Sequence, residues 1–116
     1  MTKVKWDEIL AIVDKDCKIR SVLIDQEGQT CVIGALALAS GITQQQLVDT
    51  ELFLPGNGLA RGISSRSKRM TAVRVAIRKR FGLTMEQMMG LQEINDSYSF
   101  QKSRQAAIRA WVEVMR

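Results

Sequence analysis

Asp25-Gln26-Glu27-Gly28-Gln29-Thr30-Cys31-Val32-Ile33-Gly34-Ala35-Leu36-Ala37-Leu38-Ala39-Ser40-Gly41 is the stretch on which the fold turns. A polar turn at Glu27-Gly28 leads into an uncharged run whose small members, Gly34, Ala35, Ala37, Ala39 and Ser40, suit close approach by neighbouring elements. The run predicts a buried central helix over residues 31–40, stopped at Gly41. The fold class that follows is mainly all-α: a compact bundle of five or six helices around a small-residue central helix.

Working outward, Trp6, Ile9, Leu10 and Val13 recur at helical spacing and predict an amphipathic helix over residues 5–16. Residues 19–24 and 29–33 either pair as a small β-hairpin through the Gly28 turn or remain extended; the sequence leaves both open. Thr43 to Gln46 matches a capping box and starts a helix to about residue 52. Residues 53–65 hold the only proline and three glycines and read as the one true loop.

Met70, Val73, Ile77 and Phe81 form an apolar stripe on a helix over residues 67–81, ended by Gly82. Thr84 to Gln87 repeats the capping box, with Met85, Met88, Met89 and Ile94 expected inward. The sequence Asn95-Asp96-Ser97 is read as a break, with Asp96 or Ser99 capping a last helix that buries Phe100, Ala107, Ile108, Trp111 and Met115. Trp6 and Trp111 are expected to bring the terminal helices together. A helix, glycine stop and capped helix thus occur twice, around Gly41 and around Gly82.

A chain of 116 residues with 46% hydrophobic content is long enough for one self-sufficient domain, residues 1–116. It contains neither a membrane-length apolar run nor an apolar leader, so a cytoplasmic location is expected. Cys17 and Cys31 are then expected as free, buried thiols. No histidine is present, which removes the usual general base and leaves two cysteines short of a tetrahedral zinc shell. The expectation is therefore no catalytic residues, no metal, no cofactor and no enzyme activity.

Charge is unevenly spread. Residues 1–58 carry five Lys/Arg against eight Asp/Glu, a net of −3; residues 59–116 carry twelve against four, a net of +8. Eight cations, Arg61, Arg66, Lys68, Arg69, Arg74, Arg78, Lys79 and Arg80, crowd into residues 61–80 and are the candidate anion- or partner-binding face. Aromatic residues do not alternate with them, so base stacking by this strip is weak. The two glycine turns suggest a helix-turn-helix, but Gln44 and Gln45 are the only side chains there suited to base edges. The loop Gly56-Asn57-Gly58-Leu59-Ala60-Arg61-Gly62 lacks the Gly-Lys-Ser/Thr ending of an ATPase phosphate loop. A polar cluster of Asn95, Asp96 and Arg104 is expected to tie the last helix junction, with Arg104 reaching Asp96 or Glu93.

Asp25-x-x-Gly28-x-x-Cys31-x-x-Gly34-Ala35-Leu36, followed by Gly41 and then Ile94-Asn95-Asp96, resembles a group of small proteins of actinobacteria and of phages or other mobile elements. In that group a Gly-x-x-Cys-x-x-Gly-Ala-Leu helix precedes a Trp-Asn-Asp segment. Ile94 stands where the group carries Trp, and the basic run over residues 61–80 is this chain's own. The resemblance implies an accessory, non-catalytic protein. With the charge distribution it suggests binding to a host protein through the basic face, or alternatively to nucleic acid phosphates through residues 61–80.

Overall fold

A computed structural model describes residues 3–52 and 67–116. Among these lie six helices: α1 (Trp6–Asp16), α2 (Val32–Ala39), α3 (Gln44–Leu52), α4 (Lys68–Phe81), α5 (Met85–Ser97) and α6 (Gln101–Met115). The mainly all-α bundle is as the residue pattern requires. α2 is its hub and packs against α1, α3, α4 and α5, while α6 closes the bundle against α5 and α1. Val32 through Ala37 are all buried, so α2 has no polar stripe and its helicity depends on burial.

The small residues of α2 have a steric reason. A Cβ placed on Gly34 would sit 2.1 Å from the backbone oxygen of Leu23, so the loop before the helix crosses it at main-chain contact distance. The Cys31 sulfur caps the helix, accepting from the Gly34 amide at 3.4 Å. Gly41 (φ +97°) then turns the chain into α3, where Thr43 and Gln46 bond each other's main chain at 3.1 and 2.8 Å. Gly82 (φ +81°) and the Thr84–Gln87 capping box repeat this arrangement between α4 and α5. One local helix-turn solution thus serves both junctions.

Residues 19–33 form no strands. Thr30 makes isolated bridges to Cys17 and to Ile24, and its carbonyl accepts from both the Lys18 and Ile19 amides. The Asp25–Gly28 turn is present: Asp25 Oδ1 accepts from the Glu27 and Gln29 amides. No ladder grows from it, because the chain enters α2 immediately after Thr30. The loop instead lies across the bundle, with Ser21 held at φ +72° and the Leu23 amide bonded to Glu51 Oε1 at 2.5 Å.

The expected break at Asn95-Asp96-Ser97 is corrected: α5 runs on to Ser97, and α6 begins after Phe100 with neither Asp96 nor Ser99 as its cap. The Asn95 and Asp96 side chains reach the loop over residues 17–21 and leave the main chain of α5 undisturbed. The inward face of α6 is Arg104, Ile108 and Val112, while Phe100 and Met115 are exposed. On α5, Met88, Leu91, Gln92 and Asn95 are buried, and Met85 is exposed. Trp6 and Trp111 do join the termini, edge to face with centroids 5.8 Å apart. No described helix is long and apolar enough to cross a membrane.

Two measurements test this packing. Gly34→Ala drives a methyl group into main chain that cannot rotate away and should cost about 3 kcal/mol in urea denaturation; an unchanged midpoint would contradict the close crossing. Burial pushes the Glu51 carboxyl up, the Leu23 amide opposing it. A carboxyl raised on folding stabilises fully below its unfolded value and loses that contribution as pH rises through the folded value. Glu51→Gln keeps an acceptor for Leu23 and cannot ionise, so its melting temperature relative to wild type should be higher at pH 7 than near about pH 4. The gain is small, under ~1 kcal/mol, because the group is half solvated.

Candidate functional site

Of the eight candidate cations, Arg61 and Arg66 lie outside the described residues, as does the whole of the expected loop over residues 53–65. The other six are carried by α4, whose buried stripe of Met70, Val73, Ile77 and Phe81 fixes which way they face. Lys68, Arg78 and Lys79 are exposed, and Arg69 is exposed beside Asp49 at a small cleft with Ile42, Gln46 and Thr50. Arg74 is half-buried and donates to Thr71 Oγ1 at 3.1 Å.

Arg80 has a different role. Its guanidinium grips Glu8 with two hydrogen bonds of 3.0 Å and lies 4.9 Å from the Phe81 ring centroid. The bond to Arg80 lowers the Glu8 pKa, opposed by partial burial. The pair fastens α4 to α1. Arg109 pairs with Asp14, and Arg116 with Asp7 and Glu113, so the acidic N-terminal half and basic C-terminal half neutralise each other in part along α1.

The outermost line of α4 is Lys68, Ala72, Val75 and Lys79, spaced at i, i+4, i+7 and i+11. Val75 is 44% exposed. With Ser40, residues Ala72, Val75 and Ala76 line a shallow groove edged by Lys79 and Arg80. The face is therefore a small apolar strip between cations. Ser67, at its N-terminal end, is committed as helix cap, accepting from the Met70 amide at 3.2 Å.

The polar cluster is assembled differently from the sequence expectation. Asn95 Oδ1 accepts from the Cys17 thiol at 2.8 Å and the Val32 amide at 3.1 Å, while Nδ2 donates to the Ile19 carbonyl at 3.1 Å. Asp96 Oδ1 accepts from the Ser21 amide at 2.7 Å and from Gln92 Nε2 at 2.6 Å. Arg104 reaches neither Asp96 nor Glu93; its guanidinium donates to the Lys18 and Tyr98 carbonyls at 3.0 and 3.3 Å. The first turn of α6 points the side chain back toward the preceding segment, which is why carbonyls, not the α5 carboxylates, receive it. Gln92 Oε1 and Arg104 Nε are buried without a protein partner.

Both thiols are free and buried. Burial raises the Cys17 thiol to about 11 and drives Cys31 higher still, so each is protonated at neutral pH. The helix N-terminus at Cys31 therefore holds a capping sulfur, not a thiolate. Among the described residues no cluster of three or more His, Cys, Asp or Glu side chains could hold a metal ion.

Sequence reasoning missed the exposed pair Tyr98 and Phe100, because Phe100 fits the apolar spacing of α6; only its position ahead of the first helical residue signalled otherwise. It also missed the Cys17–Asn95 contact, which joins residues far apart in the chain. No protein-family model, curated protein or solved structure matches the chain.

Asn95→Ala strands the Cys17 thiol, the Val32 amide and the Ile19 carbonyl together, and should destabilise by about 3 kcal/mol. It should also make Cys17 reactive toward a thiol reagent without denaturant; a silent Cys17 in a destabilised variant would show that Asn95 does not hold that loop.

Proposed function

We propose that this chain is a non-catalytic accessory protein of the cytoplasm that binds an acidic protein partner through the outer face of α4. The observation behind this reading is the strip of exposed Ala72 and Val75 with half-buried Ala76, set between Lys68, Arg78 and Lys79. Apolar centres with polar rims are the usual anatomy of protein contacts, whereas phosphate tracking has no use for a central valine. The small side chains allow close approach by a partner helix, and the flanking cations select one with acidic edges. Given the likeness to phage and mobile-element proteins, the partner would be a protein of the host.

The second reading, nucleic acid held by phosphate contacts over residues 61–80, draws on the same cations. Pull-down from nuclease-treated host lysate separates the two. The expected result is a protein captured equally with and without nuclease, whose retention falls roughly tenfold or more in Val75→Asp and in Arg78→Glu. Capture abolished by nuclease, or indifferent to Val75→Asp and lost only on charge reversal, would favour the phosphate reading and reject the protein interface.

A further inference from the structure

A second surface, away from the α4 strip, brings cations and aromatic rings together where the sequence keeps them apart. Three hydrogen bonds tie the loop over residues 18–21 to the end of α5 and the start of α6, and a fourth runs from Arg104 back to Tyr98. Asp96 accepts the Ser21 amide on its side chain and Arg20 Nη1 on its carbonyl, at 2.7 and 3.1 Å. Arg104 bridges the Lys18 and Tyr98 carbonyls. Lys18, Arg20, Tyr98, Phe100 and Lys102, each exposed, thereby lie on two segments that the structure joins.

The aromatic content of this region is open. Phe100 is 77% exposed and Tyr98 42%. Both residues have extended backbone torsions, and Phe100 stands at the α6 N-cap without a side-chain cap bond. Neither ring is among the buried core side chains, and Phe100 is the more open of the two.

Charge supplies the second, independent observation. Arg104 is 2% exposed and lies between the two segments, with two carbonyls as hydrogen-bond acceptors and its Nε unpartnered. A guanidinium buried on neutral acceptors keeps its positive field, which low surrounding polarity strengthens. The cluster's carboxylate, Asp96, already accepts from Ser21, Gln92 and Asn95 through Oδ1. Those donors are neutral and leave its charge uncancelled. Over residues 16–21 and 93–104 the cations Lys18, Arg20, Lys102 and Arg104 stand against Asp16, Glu93 and Asp96, a net of +1, with the exposed Tyr98 and Phe100 on the same segments.

From this we infer that the Lys18–Arg20 and Tyr98–Lys102 surface is a binding site for single-stranded nucleic acid. Tyr98 and Phe100 stack bases, and Lys18, Arg20 and Lys102 contact phosphates. Aromatic faces accept any base, and cations follow the backbone, so the site is expected to be short and tolerant of sequence. A duplex keeps its bases stacked on one another and offers these rings only its backbone. The α4 strip has cations without aromatics and so cannot substitute for this site.

The test is fluorescence anisotropy with a labelled oligothymidine of about 10 nucleotides, within the usual span of such sites. The expected result is binding that weakens roughly tenfold in Phe100→Ala and in Tyr98→Ala. Arg78→Glu/Lys79→Glu on α4 should leave it within about twofold beyond the general loss of charge. The logarithm of affinity should fall with that of salt at a slope near −2, from about three phosphates. Both rings are exposed, so circular dichroism should show the variants folded. Equal affinity for the duplex, insensitivity to both ring deletions, or loss only on α4 charge reversal would overturn the site. So would a labelled poly-glutamate peptide binding with the Phe100 dependence that the oligonucleotide lacks, which would assign the surface to an acidic protein.

Discussion

The carboxamide of Asn95 is the interaction on which the arrangement depends. It sits inside α5, yet its four contacts reach the end of α1 through Cys17, the following loop through Ile19, the start of α2 through Val32, and its neighbour Asp96. Buried polar groups are costly unless matched, and here one side chain satisfies a thiol, an amide and a carbonyl that no regular ladder provides for. The loop over residues 17–31 has no strand pairing to hold it, so this junction and the Thr30 bridges fix where it crosses. That crossing in turn demands glycine at position 34, where the Leu23 carbonyl leaves no room for a Cβ. The local polar network and the small-residue helix are one constraint seen from two sides.

Charge is distributed by the fold in a way that no sum over halves of the chain reveals. Glu8, Asp7 and Asp14 on α1 meet Arg80, Arg116 and Arg109, so a −3 half and a +8 half become partly interleaved. Exposed pairs of this kind contribute little to stability, but they change which cations remain available to a partner. Arg80 is engaged at the surface as a clamp on Glu8, while Lys68, Arg78 and Lys79 stay outermost on α4 because the Met70–Phe81 stripe points the other way. Arg104, read as a helix-junction tie to acidic neighbours, is instead a buried cation resting on carbonyls.

Much of the architecture was legible because helical spacing, glycine stops and capping boxes act over a few residues. The α4 stripe, both Thr-x-x-Gln caps, the buried α2 run and the pairing of Trp6 with Trp111 all follow from such local or strongly apolar signals. Asn95-Asp96-Ser97 misled for the same reason: these residues favour breaks when their side chains bond their own main chain. Here Asn95 and Asp96 are engaged by Cys17, Ile19, Ser21 and Val32, more than sixty positions away, while Ser97 bonds the Glu93 carbonyl one turn back within the helix, and the helix continues. Phe100 misled by fitting an apolar period that begins one residue too early.

The sequence by itself determined the helical class, the central uncharged helix, the junction chemistry at Gly41 and Gly82, and the basic character of α4, since each depends on neighbours within a turn or two. Only the tertiary structure decided that residues 18–30 lie as a loop with isolated bridges and no ladder, that Arg80 is committed to Glu8, and that Tyr98 and Phe100 are exposed. Those outcomes rest on contacts between distant segments, where hydrogen-bond matching and steric room choose among arrangements that local preference leaves equal.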